Sequence, residues 1–344
     1  MLKDIRIALD AMGGDFGPSV VVPAALSALA LHPSLHLTLV GQQEVIQTYL
    51  GAAKTQFGDR LSIHDAREIV AMDEPPAIAL RTKKDASMRV AIDLVKEGKA
   101  AACVSAGNTG ALMAIARFVL KMLPGIDRPA IVYPLPSEGE KGRIRMLDLG
   151  ANVDCDPEHL YQFAVMGSVL TAAVDGIPAP RVALLNIGSE VIKGPKSVKD
   201  AAELLSQRQV VNYIGYIEGT DLYSGKTDVV VCDGFAGNIA LKTSEGVARL
   251  FFNFFKHEFS KSWLMKLIGM MAKPTFKKLS ARFDPSGYNG ASLLGLGGIV
   301  IKSHGHASQQ MFLKAIEEAI LEVEHNVPEQ IRAEVARRLQ TEVS

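Results

Sequence analysis

The sequence predicts an α/β protein built on a mostly parallel sheet, and three observations carry that expectation. Short apolar runs alternate with stretches of helical periodicity along most of the 344 residues, the pattern of successive βαβ units. Hydrophobic residues make up 48% of the chain and aromatic residues only 6%, so Ala, Val, Leu and Ile fill the core; this suits a sheet covered by helices better than a β-sandwich. Several apolar runs end in glycine-containing turns with acids, amides and hydroxyls. Parallel sheets bind ligands at such strand ends.

The elements follow in order. The run Ile5-Arg6-Ile7-Ala8-Leu9 enters the turn Asp10-Ala11-Met12-Gly13-Gly14-Asp15-Phe16-Gly17-Pro18, and a Val- and Ala-rich helix is expected over 19–31. Strands at 36–40 and 61–64 flank a helix at 43–53, and a helix at 87–97 precedes the strand 101–105. That strand feeds Ser105-Ala106-Gly107-Asn108-Thr109-Gly110 and a helix at 109–122. Strands at 130–134 and 144–149 lead to Asp148-Leu149-Gly150-Ala151-Asn152-Val153-Asp154 and a helix at 157–175. Strands at 181–186, 211–217 and 228–232 alternate with helices at 197–207 and 237–257, and a strand at 299–302 precedes a helix at 307–323. Residues 257–290 break the alternation; they read as a helical insertion rich in Lys and Met that holds the only tryptophan, Trp263. Residues 1–325 are expected to form a single α/β catalytic domain, followed by a charged, solvated helix over 326–344.

Composition removes several functions. With 37 basic and 37 acidic residues the net charge is zero, so there is no global footprint for nucleic acid. Cys103, Cys155 and Cys232 match neither a disulfide framework nor a metal-ligand pattern. After Gly295 and Gly297 position 300 is Val, so the dinucleotide fingerprint is missing, and Pro195-Lys196 stands where a phosphate-binding nucleotide loop needs Lys-Ser/Thr. No cofactor and no metal are expected. No run reaches about 18 apolar residues, and a strand begins almost at Met1 with no leader before it, so a cytoplasmic protein is expected.

The turns carry the chemistry. Glycines let backbone amides approach an anion closely, and small polar side chains at a helix start cap or bind through its free N–H groups. Asn186-Ile187-Gly188-Ser189-Glu190 with Lys193, Val231-Cys232-Asp233-Gly234-Phe235-Ala236-Gly237-Asn238, and Lys302-Ser303-His304-Gly305 add further amides and cations at strand ends. Together they fit a site that holds an anionic substrate and stabilises charge on a second one. They are a poor match to a nucleophilic triad.

As a set, these turns, together with Leu80-Arg-Thr-Lys-Lys-Asp-Ala-Ser-Met88 and Val300-Ile-Lys-Ser-His-Gly305, closely resemble the bacterial acyl-acyl carrier protein:phosphate acyltransferases of phospholipid synthesis, in order from about residue 3 to 320. Two departures are small: Tyr288-Asn289-Gly290 replaces a more usual Phe-Gly-Gly, and Gly295-Leu-Gly-Gly298 lacks a usual asparagine. The resemblance implies a three-layer α/β/α sandwich related to phosphotransacetylase and to isocitrate dehydrogenase-like enzymes, and a homodimer. It implies direct attack of inorganic phosphate on the thioester of a long-chain acyl-acyl carrier protein. The acyl phosphate formed would feed a membrane glycerol-3-phosphate acyltransferase.

That reaction suits these residue types. Phosphate is already an oxyanion, and a thiolate with a conjugate acid near pKa ~8.5 leaves without a strong acid. Positioning and oxyanion stabilisation remain for the enzyme. Ser105, Gly107, Asn108, Thr109 and Gly110 are expected to hold phosphate, with Lys193, Lys302 and His304 balancing its charge. Asn152 and Asn238 are expected on the thioester oxygen. Asp10, Asp15, Asp148 and Asp233, with Gly13 and Gly14, are expected to orient lysines and backbone donors. Cys155 beside His159 is an alternative nucleophile, disfavoured by Asp154 and Asp156. Other open readings are a phosphotransacetylase using acyl-coenzyme A, a dehydrogenase of the related fold, and a non-catalytic scaffold.

Two surfaces complete the expectations. An acidic carrier needs a basic patch, and Arg81, Lys83, Lys84 and Arg89 or Arg249, Lys256, Lys261 and Lys266 supply one. On a helix over 261–273, Trp263, Leu264, Leu267, Ile268, Met270 and Met271 share a face opposite Lys266, Gly269 and Lys273. That pattern suits reversible contact with an anionic membrane surface, hence peripheral association.

Overall fold

The computed structural model describes residues 4–272 and 289–341. Eleven strands form one sheet in the order β3-β2-β1-β4-β11-β10-β5-β6-β9-β7-β8. In chain order they are β1 Ile5–Asp10, β2 Leu35–Gly41, β3 Leu61–Asp65, β4 Ala102–Ser105, β5 Ala130–Pro136, β6 Arg143–Leu147, β7 Arg181–Leu185, β8 Asn212–Ile217, β9 Val229–Val231, β10 Ala291–Leu294 and β11 Ile299–Lys302. The helices are α1 Pro18–Leu31, α2 Gln43–Leu50, α3 Ala53–Phe57, α4 Pro76–Thr82, α5 Ser87–Lys96, α6 Thr109–Leu120, α7 Pro157–Asp175, α8 Lys196–Arg208, α9 Gly234–Ser260, α10 at 263–272, α11 Gln309–Glu324 and α12 Val327–Thr341.

Strand alternation sends side chains to both faces, and helices cover each. Ile7 and Leu9 of β1 and Val104 of β4 pack with residues of α1 and α11, while Ala8 and Cys103, one position away, pack with α5 and α6. In the other half, Leu147 and Val231 face α7, α8 and α12, while Met146 and Val230 face the start of α9. The result is the three-layer α/β/α sandwich.

The sheet is mostly parallel, but its direction reverses in the middle. β10 is antiparallel to both β11 and β5, and β5 is antiparallel to β6. The block β3-β2-β1-β4-β11 therefore runs one way and the block β6-β9-β7-β8 the other. C-terminal strand ends of the two blocks lie on opposite edges of the sheet.

A buried charge network ties the layers together. Arg145 of β6 donates from Nε and Nη2 to Asp175 at the end of α7, at 2.7 and 3.0 Å, and from Nη1 to Glu318 of α11 at 2.6 Å. All three side chains are buried beside Glu322, whose pKa burial and then Glu318 raise to about 8, and Arg143 also pairs with Asp175.

Three expectations change. α9 runs unbroken to Ser260, so the helical departure does not begin at 257. β10 and α4, absent from the expected elements, are present. The C-terminal helix is not merely solvated: Val327, Ile331 and Val335 of α12 are buried in the core beside α7.

Candidate active site

The first group of turns lies beyond β1, β4 and β11, three adjacent strands. Asp10 ends β1 with 1% exposure and accepts hydrogen bonds from the hydroxyls of Ser87 and Ser105, both at 2.6 Å, and from the amide of Met12 at 3.3 Å. Burial pushes its pKa up, and the two serines and the amides pull it back. Ser105 also accepts from the amide of Gly107 at 3.0 Å, so its hydroxyl is used within the turn. A Cβ at Gly13 would collide with the Asp10 carboxylate and come within 2.8 Å of the Gly107 amide. Gly14 has φ of 83°, and a side chain there would meet the Gly305 carbonyl at 2.9 Å; glycine is what lets the turns after β1, β4 and β11 close together.

Lys302 ends β11 and is 9% exposed. Its ammonium donates to the carbonyls of Ser303 and, at 3.3 Å, Ala106. Burial lowers its pKa to about 8, while Asp10 and Asp15 oppose that shift. His304 is also held below the ordinary imidazole value, by burial first and then by Lys302. Its Nδ1 accepts from the amide of His306 at 3.1 Å, and His306 pairs with Asp15. The Asp15 amide donates to the Gly305 carbonyl at 3.0 Å, closing the ring of turns.

Asn108 caps α6: its Oδ1 accepts from the Ala111 amide at 3.0 Å. Its Nδ2 points to the carbonyls of Ala71, Met72 and Glu74 at 3.3, 2.9 and 3.0 Å. Both ends of this amide are thus engaged within the protein. Thr109 and Gly110 are exposed, and as the first residues of α6 they offer amides that lack an intrahelical partner. These amides and the Lys302 ammonium make the place electropositive.

The second group lies beyond β6 and β9. Asp148 is fully buried and accepts from the amides of Ile131, Ala151 and Asn152 at 2.9, 3.1 and 2.6 Å, and from Asn152 Nδ2 at 2.9 Å. Burial raises its pKa against those bonds. Asn152 Nδ2 also donates to the Pro129 carbonyl at 2.7 Å. Both amide hydrogens of Asn152 are used internally. Asp233 caps α9 through the Ala236 amide at 2.7 Å. Asn238, one turn into α9, is half-buried, with its side chain beside Gly150.

The structure does not join the two groups. From β11 to β6 is three strand spacings, about 14 Å, and the turns leave opposite edges. Asn152, Asn238 and Lys193 therefore do not meet Lys302 and Thr109 around one small anion within a chain. Lys193 pairs with Glu190 at 2.7 Å, which raises its pKa and offsets its charge. Cys155 is held well above the ordinary thiol value, to about 12, by burial and then by Asp148 and Asp233, which disfavours its thiolate at neutral pH.

Residue types alone did not single out Ser87, Asn289 and His306. Ser87 lies within Leu80–Met88, Asn289 within Tyr288–Gly290, and His306 directly follows Val300–Gly305. Asn289 accepts from the His304 amide at 3.1 Å and donates to Ser303 and to the Met311 carbonyl at 2.8 and 2.7 Å, which fixes the loop after Lys302.

Trp263, Leu264, Leu267, Ile268, Met270 and Met271 are all exposed, Trp263 at 78%, while Lys273 lies outside the described residues. Among the described residues no helix is long and apolar enough to cross a membrane.

Residues 5–330 match the model of a family described as "Fatty acid synthesis protein". A phosphate acyltransferase of Halorhodospira halophila is 57% identical over 339 residues, covering 98% of each chain. One of Methylococcus capsulatus is 59% identical over 325 residues, covering 94% of this chain and 95% of the other. Among solved structures, a phosphotransacetylase from Streptococcus pyogenes aligns with a TM-score of 0.62 at 20% identity over 93% of this chain and 94% of that one. A branched-chain phosphotransacylase from Enterococcus faecalis aligns at 0.61 and 13% identity, over 93% and 99% of the two chains. These structural likenesses show the fold.

Proposed function

The chain belongs to the fatty acid synthesis protein family of phosphate acyltransferases, and from that premise we propose that it moves a long-chain acyl group from acyl-acyl carrier protein to inorganic phosphate. The match along nearly the whole chain to proteins named for transfer to phosphate is the observation that carries this reading. The first group of turns supports it chemically.

Phosphate binds at the start of α6, on the amides of Thr109 and Gly110 and the Thr109 hydroxyl, with Lys302 as its buried counter-charge. Asp10 and Asp15 steady that lysine rather than touch the anion. A phosphate oxygen attacks the thioester carbon; the C–O bond forms as the carbonyl electrons move to oxygen. Collapse breaks the C–S bond and releases the carrier thiolate, which takes a proton from solvent. No enzyme nucleophile and no strong base take part. Preorganised donors lower the barrier by meeting charge where it develops.

The reading includes a homodimer, in which Asn238 of one copy is available to the first group of another. It also includes reversible contact of the 263–271 face with a membrane surface, where a membrane glycerol-3-phosphate acyltransferase would take up the product. The functional test is thiol release from palmitoyl-acyl carrier protein followed with a disulfide reagent. Release should require phosphate and saturate with it. Release at the same rate without phosphate would identify a thioesterase, and a preference for palmitoyl-coenzyme A would favour a phosphotransacetylase-like donor.

A further inference from the structure

We infer that the outer surface of α4, α5 and α6, centred on Phe118, is the docking face for an acidic protein partner, and that this partner presents the acyl thioester. The second half of the inference rests on the function proposed above.

Phe118 lies near the end of α6 with 51% of its surface exposed. Three cations surround its ring: Lys121 Nζ at 4.8 Å, the Arg89 guanidinium at 5.7 Å and Lys84 Nζ at 5.9 Å from its centroid. Arg117 adjoins it and is exposed. Arg89 is paired with Asp93 at 2.9 Å. Lys84, Arg117 and Lys121 have no acidic partner among the described residues. The ring's negative face offsets part of the repulsion among these cations. The rest is relieved when carboxylates arrive, so the patch favours an anionic partner over water. The chain carries no net charge, which makes the concentration local.

A protein fits this patch better than a lipid surface. One aromatic ring framed by cations is the anchor-and-rim pattern of a protein contact. The broad apolar face suited to lipid lies elsewhere, on 263–271. Position adds a reason. α6 begins at the candidate phosphate site, and Phe118 is nine residues along it, about 14 Å. The residues just past α6 reach the other edge of the sheet, where Met122 bridges to Leu296. A carrier seated on this flank can extend an arm to the phosphate site.

The test compares the wild type with Lys84→Glu/Lys121→Glu, and separately with Phe118→Ala, none of which alters a residue of the site. Binding of a fluorescent acidic acyl carrier protein is read by anisotropy at low and high salt. Turnover is read with palmitoyl-carrier and with uncharged S-palmitoyl pantetheine. The wild type should bind the carrier with strong salt dependence. The charge-reversed variant should weaken binding by about ten-fold or more and lose most of that dependence. Kinetics with the pantetheine thioester should not change. Carrier binding intact in both folded variants overturns the docking face, and so does a wild type that does not bind the carrier. Carrier binding kept while sedimentation with anionic phosphatidylglycerol vesicles is lost would mark a lipid contact and equally overturn it. Carrier binding without turnover of either donor leaves the docking face standing and removes the catalytic reading. If the double variant melts early, Arg117→Glu, on an exposed position, gives the same comparison.

Discussion

In the proposed reaction Lys302 is the residue on which the chemistry turns. Its ammonium is buried beside backbone carbonyls, and burial brings its pKa down to about 8. In the proposed reaction it is the charged form that balances phosphate, which fixes the sign: as pH rises through about 8 the charge is lost, and kcat/KM should fall there rather than near the pKa of a free lysine, ~10.4. Lys302→Arg keeps its charge over this range and should move the fall upward if any activity survives. Lys302→Met should lose activity without losing stability, because burying a charge is costly. A pH profile of the wild type that is flat from 7 to 9.5, with the concentration of phosphate dianion kept constant, would show that Lys302 does not carry the charge. Asn108 has a different weight. Its side chain caps α6 and pins the 71–74 segment. Asn108→Ala should cost about 1–2 kcal/mol in urea unfolding. It should raise the KM for phosphate only through the loosened loop. Such roles are illegible in a sequence, because the partners of Asn108 and Asn152 are backbone carbonyls at Ala71 to Glu74 and at Pro129, far along the chain. The residue types were readable; their orientation was not.

At the scale of elements, most strands lie where apolar runs predict them, since a strand buried on both faces writes an unbroken apolar signal. β10, Ala291–Leu294, was not foreseen: it is four residues long and runs into glycines, and the signal of a strand so short is lost in theirs. Its direction matters more than its existence. Whether a strand runs parallel or antiparallel depends on its neighbours in the sheet, which a local pattern does not record. The three antiparallel pairings around β10 and β5 leave a net reversal that separates Asn152, Asn238 and Lys193 from Lys302, though all sit in similar turns. Charges dominate the composition of α12 and predict a solvated helix, yet Val327, Ile331 and Val335 recur four residues apart and form one buried stripe. The Arg145 network predicts a further outcome. Glu318→Ala leaves the Arg145 Nη1 charge without its partner between β6 and α11 and should destabilise by about 3–5 kcal/mol in urea. Turnover at low temperature should remain near normal, because Arg145, Asp175 and Glu318 hydrogen-bond to one another and not to a residue of either group of turns. A loss below about 1 kcal/mol would mean that water replaces the missing carboxylate.

For the whole molecule, two groups on opposite edges and an exposed apolar helix surface ask for a second copy. In a twofold dimer a surface meets its own counterpart, so a residue from one chain can serve the site of the other. Mixing inactive Lys302→Met with inactive Asn238→Ala tests this. If sites are shared, mixed dimers rebuild one intact site and the mixture should recover up to about a quarter of the wild-type rate. No recovery, with mixed dimers demonstrated, would place each site within one chain. The same surface bears on lipid. Leu267→Glu/Ile268→Glu should abolish sedimentation with anionic vesicles while leaving turnover of soluble carrier thioester largely intact. Unfolding of that variant, or a wild type that stays in solution, would assign the face to protein.

The central claim is the transfer itself, and its product decides it. Purified protein is incubated with palmitoyl-acyl carrier protein and phosphate labelled with heavy oxygen, and the lipid product is analysed by mass spectrometry. The account predicts palmitoyl phosphate carrying all the labelled oxygens, in one-to-one ratio with free carrier thiol. Palmitic acid formed from the outset, or no cleavage of the thioester, would contradict it.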